Sequence, residues 1–567
     1  MKKIVFSLLL LFLAWSAGAQ DLHIVTTGDV HGSYFNRSYV NAKLRPSLMS
    51  VKYYVDSLRA AAGPENVLLL DAGDCLQGDN ASYYFNYVAT DKPHVFPRLA
   101  AYMGYDACTV GNHDIETGHP VYDRVKAELE GFGIPWLAGN AYTEDGGNYF
   151  PEYTLIQKGG RRILVAGYNN SNIDSWLSPE LWSGIKHESL VPLVRQRVKK
   201  LRKQFKPDVT VVVIHSGTGK GDGSSRESQG LDIFKYLKGV DVLVTAHDHQ
   251  PVCMVSGNGK SVLVNGGARC SNVGHAVLHF QRGKVKSRQV EIVRMNKQKA
   301  DEAMVKEFEP EFLAVKDFTL QPVGQLEVPL ITRDAYSGMS SYIDLLHTVQ
   351  LLSSGAQISL AAPLTYNGRV PAGQLVYNDM FTIYPFENQL YVLKLSGAEI
   401  KGLLEYSYAN WIQTDPEHIL LIKNAPDART GALRWSFVSR SYNFDSAAGI
   451  NYTVDVTKPA GSRVSITTLA CGEPFDENAT YTVAMTSYRA NGGGSLLTEG
   501  AGIPHSRLGG RVVSRYPEIR DLLYKMIKAS GTIGPSEISN REVLGSWRFV
   551  PESVVAPLMK QDLQLLF

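Results

Sequence analysis

The chain has 567 residues, 44% of them apolar and 20% charged. At about 150 residues per domain this is length for three or four domains, and the composition supports packed cores, which excludes a mini-protein and a wholly disordered chain. Fifty-seven basic residues nearly balance 55 acidic ones, leaving a net charge of +2; with no long Lys/Arg run, a nucleic-acid polymer is not an expected partner.

In chain order, Lys2 and Lys3 open the sequence, Ile4 to Trp15 supply an apolar run, and Ala17-Gly18-Ala19 offer small residues for cleavage. This layout predicts a secretory signal over residues 1–19. The run is shorter than the roughly 20 apolar residues a membrane span needs, and no Cys follows it to carry a lipid. The mature protein is expected outside the cytoplasm, periplasmic or extracellular, without a transmembrane segment. The five cysteines, Cys75, Cys108, Cys253, Cys270 and Cys471, show no C-x-x-C spacing, so neither a disulfide framework nor a zinc ribbon is indicated. Cys253 and Cys270 are the pair that could join in an oxidising compartment.

The first half repeats one theme, an apolar, β-branched run ending in a polar cluster. Leu22–Val25 precede Gly28-Asp29-Val30-His31, Val67–Leu70 precede Asp71-Ala72-Gly73-Asp74, and Ala107–Val110 precede Gly111-Asn112-His113-Asp114. Val209–Ile214 precede His215, and Val242–Val244 precede Thr245-Ala246-His247-Asp248-His249. Such runs predict buried strands. The stretches Tyr53 to Ala62 and Leu190 to Phe205 between them predict helices, so the first half reads as a layered α/β domain. The charged, helix-like stretch from Lys297 to Phe312, punctuated by Gln321-Pro322-Val323-Gly324, reads as a linker. Beyond it, Ser341 to Leu352 and Gly397 to Tyr408 predict helices, Gln389 to Leu395 and Tyr481 to Met485 predict strands, and Tyr516 to Ala529 predicts the final helix.

Ligands gather beyond the carboxyl ends of strands in α/β sheets, where all five polar clusters sit. Asp29 and His31, two apart, would share a face on a regular strand. Asp74 adds a carboxylate, Asn112 an amide oxygen, and His215, His247 and His249 three imidazoles. Together the seven can surround two divalent ions if one carboxylate bridges them. Oxygen and nitrogen donors without thiolate suit Zn, Mn, Fe or similar ions, and a metal pair can clamp a phosphoryl group and activate water for in-line attack. His113, next to Asn112, is left for chemistry at the leaving oxygen, with Glu116 three residues on to hold its ring and favour the protonated form.

These ordered motifs resemble the calcineurin-like metallophosphoesterases, and the whole mature chain resembles secreted nucleotidases that join this domain to a 5′-nucleotidase C-terminal domain. The resemblance implies a four-layer β-sandwich flanked by helices over residues 20–295, a linker helix over 296–324, and a mixed α/β substrate-binding domain over 325–567. It implies two divalent metals, one held by Asp29, His31, Asp74 and His249, the other by Asp74, Asn112, His215 and His247, with Asp74 bridging. Two departures stand out: Ala246 replaces the Gly common before the His-x-His pair, and Glu116 replaces the Asp that nucleotidases often place three residues after the catalytic His.

The same resemblance makes Phe386, in Tyr384-Pro385-Phe386-Glu387-Asn388, and Tyr488, in Ser487-Tyr488-Arg489-Ala490-Asn491-Gly492-Gly493, the two rings that grip a base. It implies that Arg369 reaches the substrate's anionic groups and Asn388 its base edge. Gly494-Ser495 stands where 5′-nucleotidases commonly have an Asp. Ala361-Ala362-Pro363, Ser441-Tyr442-Asn443-Phe444-Asp445 and Tyr488-Arg489-Ala490 look closer to the 2′,3′-cyclic-nucleotide phosphodiesterase branch, whereas Phe386 is similar to the 5′-nucleotidase ring. The expectation is an exported phosphohydrolase of nucleotides, on 5′- or on cyclic and 3′-nucleotides. The alternatives are a nucleotide-sugar pyrophosphatase with the same centre or a non-catalytic nucleotide-binding surface protein.

Overall fold

The five apolar runs of the first half all become strands. In a computed structural model of the chain, which describes residues 21–386, 388–415, 417–426 and 431–567, they are Leu22–Thr27, Val67–Asp71, Ala107–Thr109, Val209–Ile214 and Val242–Val244. The secretory signal expected over residues 1–19 lies outside the described residues. The first three strands run parallel in one six-stranded sheet. The other two run parallel, beside Arg161–Tyr168, in a second six-stranded sheet.

The sheets face each other across one apolar layer, where Ile24, Leu68, Leu70 and Leu137 meet Val165, Val211, Val213 and Val244, each at most 1% exposed. Helices Leu48–Ala62, Val95–Met103 and His119–Gly131 cover the outer face of the first sheet; Leu190–Phe205 and Gly230–Tyr236 cover that of the second. Leu190–Phe205 does so through Leu190, Leu193, Val194, Val198 and Leu201, one stripe at helical spacing. The result is the expected four-layer sandwich. Because the five cluster-bearing strands run parallel within their sheets, their carboxyl ends open on one rim, and the polar clusters emerge together there.

The charged stretch after residue 295 forms two helices, Glu302–Glu307 and Glu309–Thr319. Met304, Phe308, Phe312 and Val315 pack into the N-terminal core, and Phe318 packs into the C-terminal one. The residues read as punctuation enter a strand, Pro322–Leu326, paired with Gly373–Val376; Pro322 stands at the first position of the strand, where proline is tolerated. The centre of the second half is a five-stranded sheet that includes Gln389–Ser396 and Thr480–Thr486. Helix Ile519–Ser530 starts later than predicted, because Tyr516 belongs to the edge strand Val512–Glu518, a place that admits Pro517. It is also not the last helix: Glu552–Leu566 follows it, with Pro557 inside. All five cysteines are free thiols, with Cys253 exposed and Cys270 buried, so that pair does not form a disulfide. No helix among the described residues is long and apolar enough to cross a membrane.

Two histidines away from the polar rim make folding acid-sensitive. His94 accepts from Phe96 N through Nδ1 and bonds Asn86 through Nε2, and His347 bridges the Ser359 and Ser446 hydroxyls. Burial holds each down at about 3. The unfolded chain protonates both near pH 6.5, so it binds more protons than the native state below that value. Stability is therefore present above pH 6.5 and lost as the pH falls from 6.5 toward 3, at about 1.4 kcal/mol per pH unit for each ring. Urea unfolding across this window should show the slope, and His94→Asn should flatten it by about half.

Candidate active site

Five of the seven proposed ligands have left-handed backbones: Asp29 (φ 49°), His31 (47°), Asp74 (61°), His247 (77°) and His249 (58°). Non-glycine residues hold such angles at a cost of about 1–3 kcal/mol each, and they cluster at functional sites. The expected reason for Asp29 and His31 sharing a face is thus corrected. Their strand ends at Thr27, and the turn beyond it, not strand alternation, aims both inward. Two glycines permit the close approach of these turns. A Cβ on Gly73 (φ 98°) would fall 2.7 Å from both Gly111 N and His215 Nδ1, and one on Gly111 would fall 2.1 Å from Asp74 Oδ1.

The turns assemble two adjacent groups, Asp29–His31–His249 and Asp74–His215–His247, each with potential ligand atoms within 4.8 Å of one another. Asn112 joins the second, with Oδ1 2.8 Å from His247 Nδ1 and 3.1 Å from His215 Nε2. The donor chemistry fits cations. His31 donates Nδ1–H to Gln77 O at 2.9 Å, leaving Nε2 to face His249 Nε2 at 2.9 Å. His215 donates Nδ1–H to Ala72 O at 2.7 Å and turns Nε2 to Asp74 Oδ2 at 2.9 Å. Apart from that imidazole, the buried oxygen has no hydrogen-bond partner.

The electrostatics agree. Burial drives Asp29 well above the usual carboxylate range, against the pull of His215 and with the help of the Asp74 charge. Burial would also raise Asp74, but His215, His113 and His31 outweigh it and hold this carboxyl well below that range. Burial would lower His215, yet the charge and hydrogen bond of Asp74 push it up to about 9. Ligand groups must shed their protons to bind a cation, so metal binding at this pair would release protons.

His113 stands beside this centre, its ring edge-on to His31 with centroids 5.4 Å apart. The short helix Asn112–Glu116 puts positions three apart on one side, so Glu116 bonds His113 Nδ1. The longer Glu therefore reaches the ring. Asp114, whose role was not read from sequence, accepts four buried backbone N–H groups, from Asp74, Cys75, Leu76 and Gly111, at 2.8–3.0 Å. It ties two of the ligand turns to each other.

Comparison with known proteins places this architecture. Residues 22–251 match the calcineurin-like phosphoesterase family model, and residues 322–499 match the 5′-nucleotidase C-terminal domain model. The chain is a two-domain metallophosphoesterase. Family membership implies the use of divalent metal. The trifunctional nucleotide phosphoesterase of Bacillus subtilis is 24% identical over 94% of this chain, which spans only 39% of that protein's length. The 2′,3′-cyclic-nucleotide 2′-phosphodiesterase/3′-nucleotidase of Salmonella typhimurium is 26% identical over 84% of this chain and 82% of that protein. A crystal structure of a candidate 5′-nucleotidase from Staphylococcus aureus, solved with α-ketoglutarate, has the same fold, with a TM-score of 0.77 at 20% identity over 93% of this chain and 99% of that one.

In the C-terminal domain of this metallophosphoesterase, the two expected ring segments meet at one end of the sheet. Leu390 pairs with Thr486 in antiparallel register, and Gln389 N donates to Ser487 Oγ at 3.1 Å, so Phe386 precedes one strand where Tyr488 follows the other. Phe386 is half-buried against the C-terminal apolar cluster. Tyr488 rests on Gly493, where a Cβ would fall 2.5 Å from the ring. Buried Arg489 pairs with Asp445 at 2.7 Å and donates to Tyr442 O and Asn443 Oδ1, which joins two of the three motifs that resembled the cyclic-nucleotide branch. Asn388 turns its amide to the Tyr384 hydroxyl at 3.5 Å. Arg369 is exposed on a short strand paired with Ile331. Its neighbour Gly368 packs on Thr382, four residues before Phe386.

Three residues at the centre escaped the sequence reading. Trp176 stacks on His247 with centroids 5.3 Å apart and an interplanar angle of 12°. Glu227 accepts from His247 Nε2 at 2.9 Å. Arg269, held left-handed (φ 54°) with its N–H on Asp29 O, reaches Gly78 O. None stands in a recognisable motif, and only proximity to the ligands marks them.

Proposed function

We propose that this metallophosphoesterase releases phosphate from nucleotides, as a 5′-nucleotidase, as a 2′,3′-cyclic-nucleotide phosphodiesterase/3′-nucleotidase, or as both. One metal would be held by Asp29, His31, Asp74 and His249 and another by Asp74, Asn112, His215 and His247, with Asp74 common to both. Zinc, manganese or a similar divalent ion suits these donors; when bound, such ions polarise the phosphoryl oxygens and make water a stronger nucleophile. The protein's own groups do the rest. Phe386 and Tyr488 sandwich the base, and Arg369 meets an anionic group or Asn388 a base edge once substrate draws them in. His113 gives a proton to the leaving oxygen while Glu116 orients its ring. The basic start and apolar run of residues 2–15 support export before this scavenging reaction takes place.

One observation carries the reading. Asn491, three residues after Tyr488, donates to Trp176 O at 2.6 Å, and the Trp176 ring lies on His247. The ring-bearing turn is therefore docked against the metal-ligand cluster, where a stacked base would leave its phosphoester within reach. The joining of Tyr442–Asp445 to Arg489 favours the cyclic and 3′-nucleotide branch. The test is phosphate release from a panel of 5′-, 3′- and 2′,3′-cyclic nucleotides with several metals. Base stacking is worth about 1–3 kcal/mol, so Phe386→Ala and Tyr488→Ala should each lower kcat/KM for nucleotides by about 5–100-fold and spare p-nitrophenyl phosphate. Equal loss on both substrates would remove the base clamp from the account.

A further inference from the structure

His247 is a proposed ligand gripped from two sides by side chains outside the ligand set, Glu227 and Trp176. Its Nδ1 faces Asn112 Oδ1 at 2.8 Å, while its Nε2–H donates to Glu227 Oε1 at 2.9 Å. A carboxylate on Nε2 keeps the proton there and leaves the Nδ1 lone pair for the centre. Glu227 is exposed, yet its backbone is pinned: its carbonyl accepts from the Ser216 hydroxyl at 2.8 Å and from Asn170 Nδ2 at 3.1 Å. Ser216 follows His215, so the loop that presents Glu227 is tied to a second ligand. The Trp176 indole closes one face of the His247 ring. That indole belongs to a single helical turn, Ile173–Trp176, whose last carbonyl receives the bond from Asn491.

We propose that Glu227 and Trp176 are positioning residues for His247, and that Asn491 makes the fit of this ligand depend on the docking of the C-terminal domain. The base-binding turn thereby completes the metal site next to it, and the metal site in turn favours the docked turn, since such coupling is reciprocal. This inference rests on the assignment of His247 as a metal ligand in the reading above, not on the identity of the substrate.

The test titrates the full-length chain with Co2+ against a competing chelator, following visible absorption without nucleotide. Two binding steps are expected in the wild type. Glu227→Ala should weaken one of them about 10–100-fold and spare the other. Glu227→Gln, which keeps an acceptor oxygen, should recover most of that loss. Asn491→Ala, in the other domain, should weaken the same step by about 2–10-fold, the worth of one hydrogen bond, with Tm near the wild-type value. Unchanged cobalt binding in Glu227→Ala would overturn the positioning role, and unchanged binding in Asn491→Ala would overturn the link between domains. Equal weakening of both steps together with a fall in Tm would mark a merely structural role and would also overturn the proposal. A chain that shows the expected cobalt pattern but releases no phosphate from nucleotides would refute the proposed function and leave this inference standing.

Discussion

Asp74→Ala is expected to lower metal-dependent phosphate release by at least about 1,000-fold, equivalent to roughly 4 kcal/mol of transition-state stabilisation, and to reduce the bound metal. Asp74 is fully buried, grouped with His215 and His247, and its charge also acts on His31 and His249. Removing it takes away the one carboxylate suited to both metals and leaves the buried His215 without its countercharge. The imidazole should then fall from about 9 toward or below its ordinary range, because the Asp74 charge is the largest influence raising it. Metal analysis and phosphate release on the same preparation check the result. Full activity with two metals retained would contradict a dinuclear centre built on Asp74.

His113→Asn should leave metal content unchanged and reduce kcat on nucleotides by about 100- to 10,000-fold, the usual span for loss of a general acid. The ring lies beside His31 and is oriented by Glu116, while the backbone N–H of residue 113 bonds Asp74 Oδ1 at 2.8 Å. Because that last contact is made by the main chain, the substitution keeps it, and the ligand turn should stay in place. The leaving group separates acid catalysis from a general disturbance. A nucleoside alkoxide needs a proton as it departs, whereas p-nitrophenolate does not. The defect should therefore shrink by at least about tenfold on p-nitrophenyl phosphate if His113 supplies that proton. A uniform defect on both substrates would assign the ring to structure.

Much of the fold was legible because its cause is local. Val209–Ile214 and Leu190–Phe205 appear where their apolar patterns predict, since a buried strand and an amphipathic helix each write their burial into sequence periodicity. The misreadings share the opposite cause. Tyr516 sits in an edge strand because a neighbour in the sheet, Gln389–Ser396, offers hydrogen bonds, which helical spacing cannot register. The closing helix Glu552–Leu566 was not predicted; tertiary packing of Val555 and Met559 retains it around Pro557, a residue that local propensity disfavours in a helix.

The sequence alone determined which residue types are available for the chemistry: acids, amides and imidazoles at the ends of five apolar runs, two ring-bearing motifs, and a net charge too small to reveal any of them. Tertiary structure decided how they meet. Left-handed turns, not strand alternation, aim Asp29 and His31, and Gly73 and Gly111 allow turns from separate strands to touch. Glu227, Trp176 and Arg269 gain their places only when distant segments close around the centre, and Asn491 joins it across the domain boundary. Ligand identity follows from side-chain chemistry, which each residue carries with it. Ligand support depends on distances between residues far apart in the chain, and only folding sets those.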